Sequence, residues 1–174
     1  CLLNFKNDPK VEETVVNYFK TSKDKIAEIG AKKIHDGMTV VTHCHASTVT
    51  KILIKAWQDG KKFTVRNKET RPKFQGRNTG EELAAVVIPV IHSVDSAGRL
   101  AMQEADLFLF GADAITAEGN VVNKIGTTML AEFANLYQIP VYSCTNSWKF
   151  DPETLGGADE PIEERDPREV WENP

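Results

Sequence analysis

Apolar positions over the first 35 residues fall at helical steps. Val11, Val15, Tyr18, Phe19, Ile26, Ile29 and Ile34 recur mostly three or four residues apart after Asp8-Pro9, which predicts an amphipathic helical segment that Gly37 ends. From Met38 onward short apolar runs alternate with helical patterns. Residues 38–42, 63–67, 88–94, 107–110 and 140–144 read as strands, the run at 107–110 being the most apolar. Between them, residues 46–58 read as a helix with Ile52, Leu53, Ala56 and Trp57 inward, closed by Asp59-Gly60. Further helices are predicted over about 79–87, 96–104 and 125–137. Strands that alternate with helical connections build βαβ units, so the pattern predicts an α/β fold with a mostly parallel sheet and flanking helices, preceded by a helical segment.

Composition agrees with an ordinary globular domain. The 174 residues carry 21 Lys and Arg against 25 Asp and Glu, with 41% hydrophobic residues. A formal charge of −4 argues against direct nucleic-acid binding, which rests on a basic surface that neutralises phosphates. No apolar stretch approaches the roughly 18 to 20 residues of a membrane span, and residues 1–6 lack the apolar core of a secretory signal. A cytoplasmic location without membrane contact is expected. Three widely spaced cysteines, Cys1, Cys44 and Cys144, do not suggest a disulfide framework. Neither Gly-x-Gly-x-x-Gly nor a phosphate-binding Gly-x-x-x-x-Gly-Lys-Ser/Thr run occurs.

Charge is unevenly spread. Residues 61–77 hold seven basic side chains and one acid, whereas residues 151–174 hold nine acids, two arginines and four of the eight prolines. The basic run reads either as a solvated edge or as a patch for an anionic small molecule. The acidic end reads as an extended tail.

Ligands of open α/β sheets lie beyond the carboxyl ends of the strands. Those ends carry Thr42-His43-Cys44-His45, the run from Lys68 to Arg77, Asp95-Ser96, Gly111-Ala112-Asp113 and Asn146-Ser147-Trp148-Lys149. Cys44 stands where a strand turns into a helix, and a helix N-terminus favours a thiolate; the alternative is a small buried hydrophobe. Asp113 follows an apolar strand, and a poorly hydrated carboxyl is a proton donor near neutrality; the alternative is a cap. Asp95 fits a helix N-cap, and Cys144 a buried strand residue. Asn123 and Lys124 precede a helix, so side chains and free amides could hold a phosphate there. His43-Cys44-His45 lacks a second Cys/His pair at zinc spacing, and no metal site or cofactor is expected.

These runs resemble the sugar-phosphate isomerases related to the α, β and δ subunits of initiation factor 2B. The likeness extends from about residue 23 to 150 and rests on Thr42-His43-Cys44-His45, Glu69-Thr70-Arg71-Pro72-Lys73-Phe74-Gln75-Gly76, Ile88-Pro89-Val90, Gly111-Ala112-Asp113, Asn123-Lys124-Ile125-Gly126-Thr127 and Trp148-Lys149-Phe150. It implies a Rossmann-like domain over 37–150, with 1–36 ending a helical N-terminal domain and 151–174 an acidic, proline-containing tail. Enzymes of the family carry both the Cys and the Asp, as here; its regulatory subunits generally lack the Cys. Thr-His-Cys-His and the run Lys149-Phe150-Asp151-Pro152-Glu153-Thr154 are similar to ribose-1,5-bisphosphate isomerase, whereas methylthioribose-1-phosphate isomerases more typically follow the Cys with Asn and Gly.

The resemblance implies conversion of ribose 1,5-bisphosphate to ribulose 1,5-bisphosphate in nucleotide (AMP) salvage. The alternatives are methylthioribose-1-phosphate isomerisation and a non-catalytic initiation factor 2B-like subunit that binds a nucleotide or sugar phosphate. Cys44 as thiolate would take and return the C2 or C1 proton while Asp113 exchanges protons with the ring or C2 oxygen. Asn123 and Lys124 would hold a phosphate or sugar oxygens, with Arg71 and Lys149 as further anion-site candidates. A phosphorylated sugar substrate, a nucleotide effector and a homo-oligomeric full-length protein are the partners implied. Family members carry further N- and C-terminal parts, so the chain is expected to be a piece of a longer protein, the other reading being a shortened relative.

Overall fold

The computed structural model describes residues 9–172. Helix α1 covers Pro9–Ala31 and leads into β1, Thr39–Thr42. There follow α2 (Ser47–Gln58), β2 (Thr64–Lys68), α3 (Gln75–Ala85), β3 (Val90–Ser93), α4 (Gly98–Gln103) and β4 (Leu107–Phe110). A small antiparallel pair, β5 (Ala114–Ile115) and β6 (Val121–Val122), precedes α5 (Thr127–Leu136) and β7 (Val141–Ser143). The main sheet has the order β3-β2-β1-β4-β7, and all four of its pairings are parallel. The α/β architecture and the helical start thus match the sequence pattern.

Alternation along the central strands sends successive side chains into two cores. Val40, Leu107 and Leu109 join Val49, Ile52, Leu53 and Ala56 of α2 on one face. Val41, Phe108 and Phe110 join Ala101 and Met102 of α4 and Leu130 and Ala134 of α5 on the other. Helix α1 lies on α2 at close range because residue 30 is glycine: a Cβ there would stand 2.5 Å from Ile52 Cδ1.

Several boundaries differ from the pattern. Helix α3 starts at Gln75, four residues ahead of the predicted 79, because the polar loop winds into its first turn. The β5–β6 pair escapes prediction, being two residues per strand and closed by Gly119 at φ +84°. The acidic end is not an extended run. Its 3₁₀ turns, Pro152–Gly156 and Pro167–Glu169, are each opened by an aspartate, Asp151 and Asp166, that accepts a backbone N–H two residues on. It folds back on the domain through Asp151 N–H to the Ile115 carbonyl (2.9 Å), a Lys73–Glu169 ion pair (2.9 Å) and Arg71 Nη2 to the Val170 carbonyl (3.0 Å). Opposite charges on the two segments thus meet within one chain.

Leu53 is fully buried between α2 and the sheet, whereas Leu155 is 70% exposed. Leu53→Ala should lower the unfolding free energy by about 2–5 kcal/mol, and Leu155→Ala should change it by no more than about 0.5 kcal/mol. Chemical denaturation of both variants checks this; equal losses would contradict the assigned core.

Candidate functional site

Strands β1 and β4 are neighbours, but β2 and β3 lie to one side of them and β7 to the other. Chain leaving β1 therefore departs one way and chain leaving β4 the other, which opens a crevice beyond their carboxyl ends. Cys44 follows β1 and Asp113 follows β4. A cavity of about 540 Å³ occupies this place and is lined by Cys44, Asp113, Asn123, Lys124 and Lys149, together with Lys23 of α1 and Gln75 of α3. That volume lies in the ordinary range for small-molecule sites. The two loops approach closely at Gly111, where a Cβ would be 2.7 Å from the Ala46 methyl.

Cys44 is 8% exposed and adopts a left-handed backbone, φ 64°, which non-glycine residues rarely do. Its N–H donates to Thr70 Oγ1 (2.9 Å), its carbonyl accepts from Thr79 Oγ1 (3.0 Å), and its thiol donates to Gln75 Oε1 (3.7 Å). The expected thiolate is not favoured. Helix α2 starts only at Ser47, and burial, the largest influence, pushes the thiol up. Lys124 pulls in the other direction, and Asp113 adds to the upward push. Cys144 is buried at the end of β7, where desolvation raises it to about 12.

Asp113 lies at the start of the β5–β6 pair, its N–H donating to the Val122 carbonyl (2.8 Å). The poorly hydrated carboxyl expected from the apolar strand is not found: the hairpin turns the chain outward after Ala112, and Asp113 is exposed. Asn123 and Lys124 hold the next turn. Asn123 Nδ2 donates to Thr127 Oγ1 (3.0 Å), which in turn donates to the Lys124 carbonyl (2.7 Å), and Gly126 enters α5 at φ +95°. Buried His43 ties this turn to β1, its Nε2 donating to the Ile125 carbonyl at 2.8 Å. Burial lowers His43, which keeps it neutral in that role.

Lys149 reaches the cavity mouth from a 3₁₀ turn, Ser147–Lys149, capped by Asn146. Trp148 of that turn stacks on Tyr18 of α1 (4.5 Å) and meets Phe19 edge-on (5.3 Å), and the Tyr18 hydroxyl bonds Ser147 Oγ (2.9 Å), so these contacts tie the turn of Lys149 to α1. Arg71 does not join the site. Its guanidinium lies over the Phe74 ring (5.0 Å) and donates to Val170, because the acidic end draws it away. Asp95 is not the expected cap either; it accepts the backbone N–H groups of Thr70 (2.9 Å) and Arg71 (2.7 Å). The sequence does not mark Lys23, Thr70, Gln75 or Thr79 individually as site residues. Gln75 belongs to the family-like run 69–76, but Lys23 carries no local signal, since only the packing of α1 brings it to the crevice.

Two thiols (Cys44 and Cys144), two carboxylates (Asp113 and Glu163), His45 and three lysines line one cavity, a set that suits an anionic substrate that exchanges protons. Among the described residues no group of three His, Cys, Asp or Glu side chains could hold a metal ion. Nor is any helix among them long and apolar enough to cross a membrane. Iodoacetamide should modify Cys44 ahead of Cys144, with a rate that still rises above the ordinary thiol value of about 8.5. Peptide mapping against pH checks this, and a Cys44 rate that levels off below pH 7 would contradict the burial effect.

Comparison with known proteins places this geometry. The family model described as "Initiation factor 2 subunit family" matches residues 9–173. A ribose 1,5-bisphosphate isomerase of Thermococcus kodakarensis is 45% identical over 147 residues, covering 84% of this chain and 46% of that protein. A methylthioribose-1-phosphate isomerase of Maridesulfovibrio salexigens is 38% identical over 172 residues, covering 92% and 49%. Among solved structures, translation initiation factor eIF-2B, subunit delta, from A. fulgidus superposes with a TM-score of 0.77 at 34% identity, covering 85% of this chain and 46% of that one. The chain thus spans about half the length of the relatives it matches. Fold and sequence relationship agree, and the chain belongs to the initiation factor 2 subunit family.

Proposed function

We propose that the protein containing this chain is an aldose–ketose isomerase that converts ribose 1,5-bisphosphate to ribulose 1,5-bisphosphate. The observation that carries the reading is the meeting of Cys44 and Asp113 in one lysine-lined cavity at the β1/β4 crevice. The isomerase named at 45% identity supports the choice of substrate.

The reaction moves two protons. One leaves C2 and arrives at C1; the other leaves the C2 hydroxyl and ends on the former ring oxygen, while the ring C–O bond breaks and the C2 carbonyl forms. Two groups with opposite starting states suffice. Cys44, which burial favours as the thiol, gives its proton to the ring oxygen and regains one from the C2 hydroxyl. Asp113, as carboxylate, takes the C2 proton and delivers it to C1. Both groups end as they began. This assignment exchanges the roles expected from the sequence, and the reason is the burial of Cys44. Asn123 and Lys124 hold one phosphate at the entry to α5, and Lys23 and Lys149 neutralise charge at the mouth. No cofactor is needed for this proton balance. A cytoplasmic, homo-oligomeric enzyme with a nucleotide effector completes the proposal.

Methylthioribose-1-phosphate isomerisation is the second reading, favoured by the relative of that name at 38% identity. Turnover by the intact protein with each sugar phosphate separates the two. Ribose 1,5-bisphosphate should be consumed with the higher kcat/KM, and Cys44→Ser and Asp113→Asn should each lower kcat by about 10²- to 10⁴-fold. Binding without turnover would instead support a regulatory subunit, and near-parental rates in both variants would overturn the assignment.

A further inference from the structure

Cys44 is held in an unfavourable backbone conformation by groups that lie far from it in sequence. Both of its peptide groups are satisfied by buried threonine hydroxyls, Thr70 on the N–H (2.9 Å) and Thr79 on the carbonyl (3.0 Å). Each threonine is 1% exposed. Thr70 is itself left-handed, φ 62°, so two strained non-glycine residues face each other beyond adjacent strands. Strain of this kind persists where surrounding contacts over-determine it. Here the contacts continue outward. Asp95 Oδ1 accepts the Thr70 N–H (2.9 Å), and Asp95 Oδ2 accepts that of Arg71 (2.7 Å). The turn that carries Asp95 is pinned from below by Lys68, whose Nζ donates to Ser93 Oγ (2.8 Å) and to the Ala97 carbonyl (3.1 Å).

We infer that Thr70 and Thr79 are positioning residues that clamp Cys44 in its left-handed conformation and so aim its thiol at the cavity, with Asp95 holding Thr70. The catalytic meaning of the clamp rests on the proposed isomerase reading; its structural meaning does not. An isolated Cys44 would relax toward an extended or right-handed backbone, which turns Sγ away from Gln75 and from the crevice. The α3 side of the crevice therefore sets the thiol direction. Thr70 Oγ1 also meets His43 Nδ1 (3.4 Å) and the Lys68 carbonyl (3.2 Å), and Thr79 Oγ1 meets His45 Nδ1 (3.1 Å), but Asn123 and Lys124 bond to neither hydroxyl, so loss of the hydroxyls should act first on the geometry around Cys44.

The test uses Thr70→Val and Thr79→Val, which keep the side-chain shape and remove the hydroxyl, beside Thr70→Ser and Thr79→Ser, which keep it. In the intact protein the valine variants should lose roughly 10- to 100-fold in kcat with KM within about threefold, the scale of a small misplacement of a reacting group. The serine variants should recover most of that loss. Asp95→Asn should resemble Thr70→Val in sign. Alkylation of Cys44 by iodoacetamide gives a readout free of substrate: its rate at a fixed pH should change at least threefold in the valine variants and stay near parental in the serine ones. Parental kcat and parental alkylation in the valine variants would overturn the clamp, as would equal losses in valine and serine variants. Absence of isomerase turnover in the parent would overturn the functional reading alone, since the alkylation series still tests the clamp.

Discussion

Everything in the candidate site depends on the reversal of winding between β1 and β4. With the order β3-β2-β1-β4-β7, the loops after these two central strands must part, and the sheet cannot close the gap between them. Cys44 and Asp113 are the chemically able residues that this reversal places on either side of one crevice. The two cores that flank the sheet fix its geometry: Val40 and Leu109 point into one, Val41 and Phe108 into the other. A shift of β1 against β4 by one residue would exchange these faces. Cores and crevice are thus set by the same register.

Within that frame the site is built from contrasts in hydration. Cys44 is packed under α3 and favours its neutral form, whereas Asp113 stands on a hairpin that turns into solvent. Under the proposed isomerisation, proton exchange between a sugar's carbon and oxygen atoms calls for a donor and an acceptor, the roles proposed for this pair. Lysines arrive from three separate parts of the chain, Lys23 on α1, Lys124 before α5 and Lys149 after β7. The basic loop after β2, by contrast, is largely answered by the chain's own acids: Glu169 engages Lys73, and Glu69 lies 3.7 Å from Arg77. Charge that looked like an anion site in sequence is partly internal neutralisation.

Sequence pattern reached the fold well where the elements were long or strongly apolar. The five main strands and the helices were visible because buried parallel strands and amphipathic helices leave distinct periods. The β5–β6 hairpin was invisible, since two-residue strands have no period, and yet it decides that Asp113 is exposed. Arg71 was misplaced for a different reason: its partner Val170 lies 99 residues away. Thr70 and Thr79 carried no signal as single residues, because a threonine that satisfies a distant backbone looks like any other polar position. The turn at Asn123 and Lys124, proposed to hold a phosphate, is legible from the helix that follows it. Its tie to β1 through His43 is not.

The most direct measurement is a crystal structure of the intact protein with ribulose 1,5-bisphosphate bound. The account predicts the sugar carbons between Cys44 Sγ and the Asp113 carboxylate, with one phosphate against Asn123 and Lys124. A ligand seated instead on the loop of Arg71 and Lys73, with the β1/β4 crevice left to solvent, would contradict it.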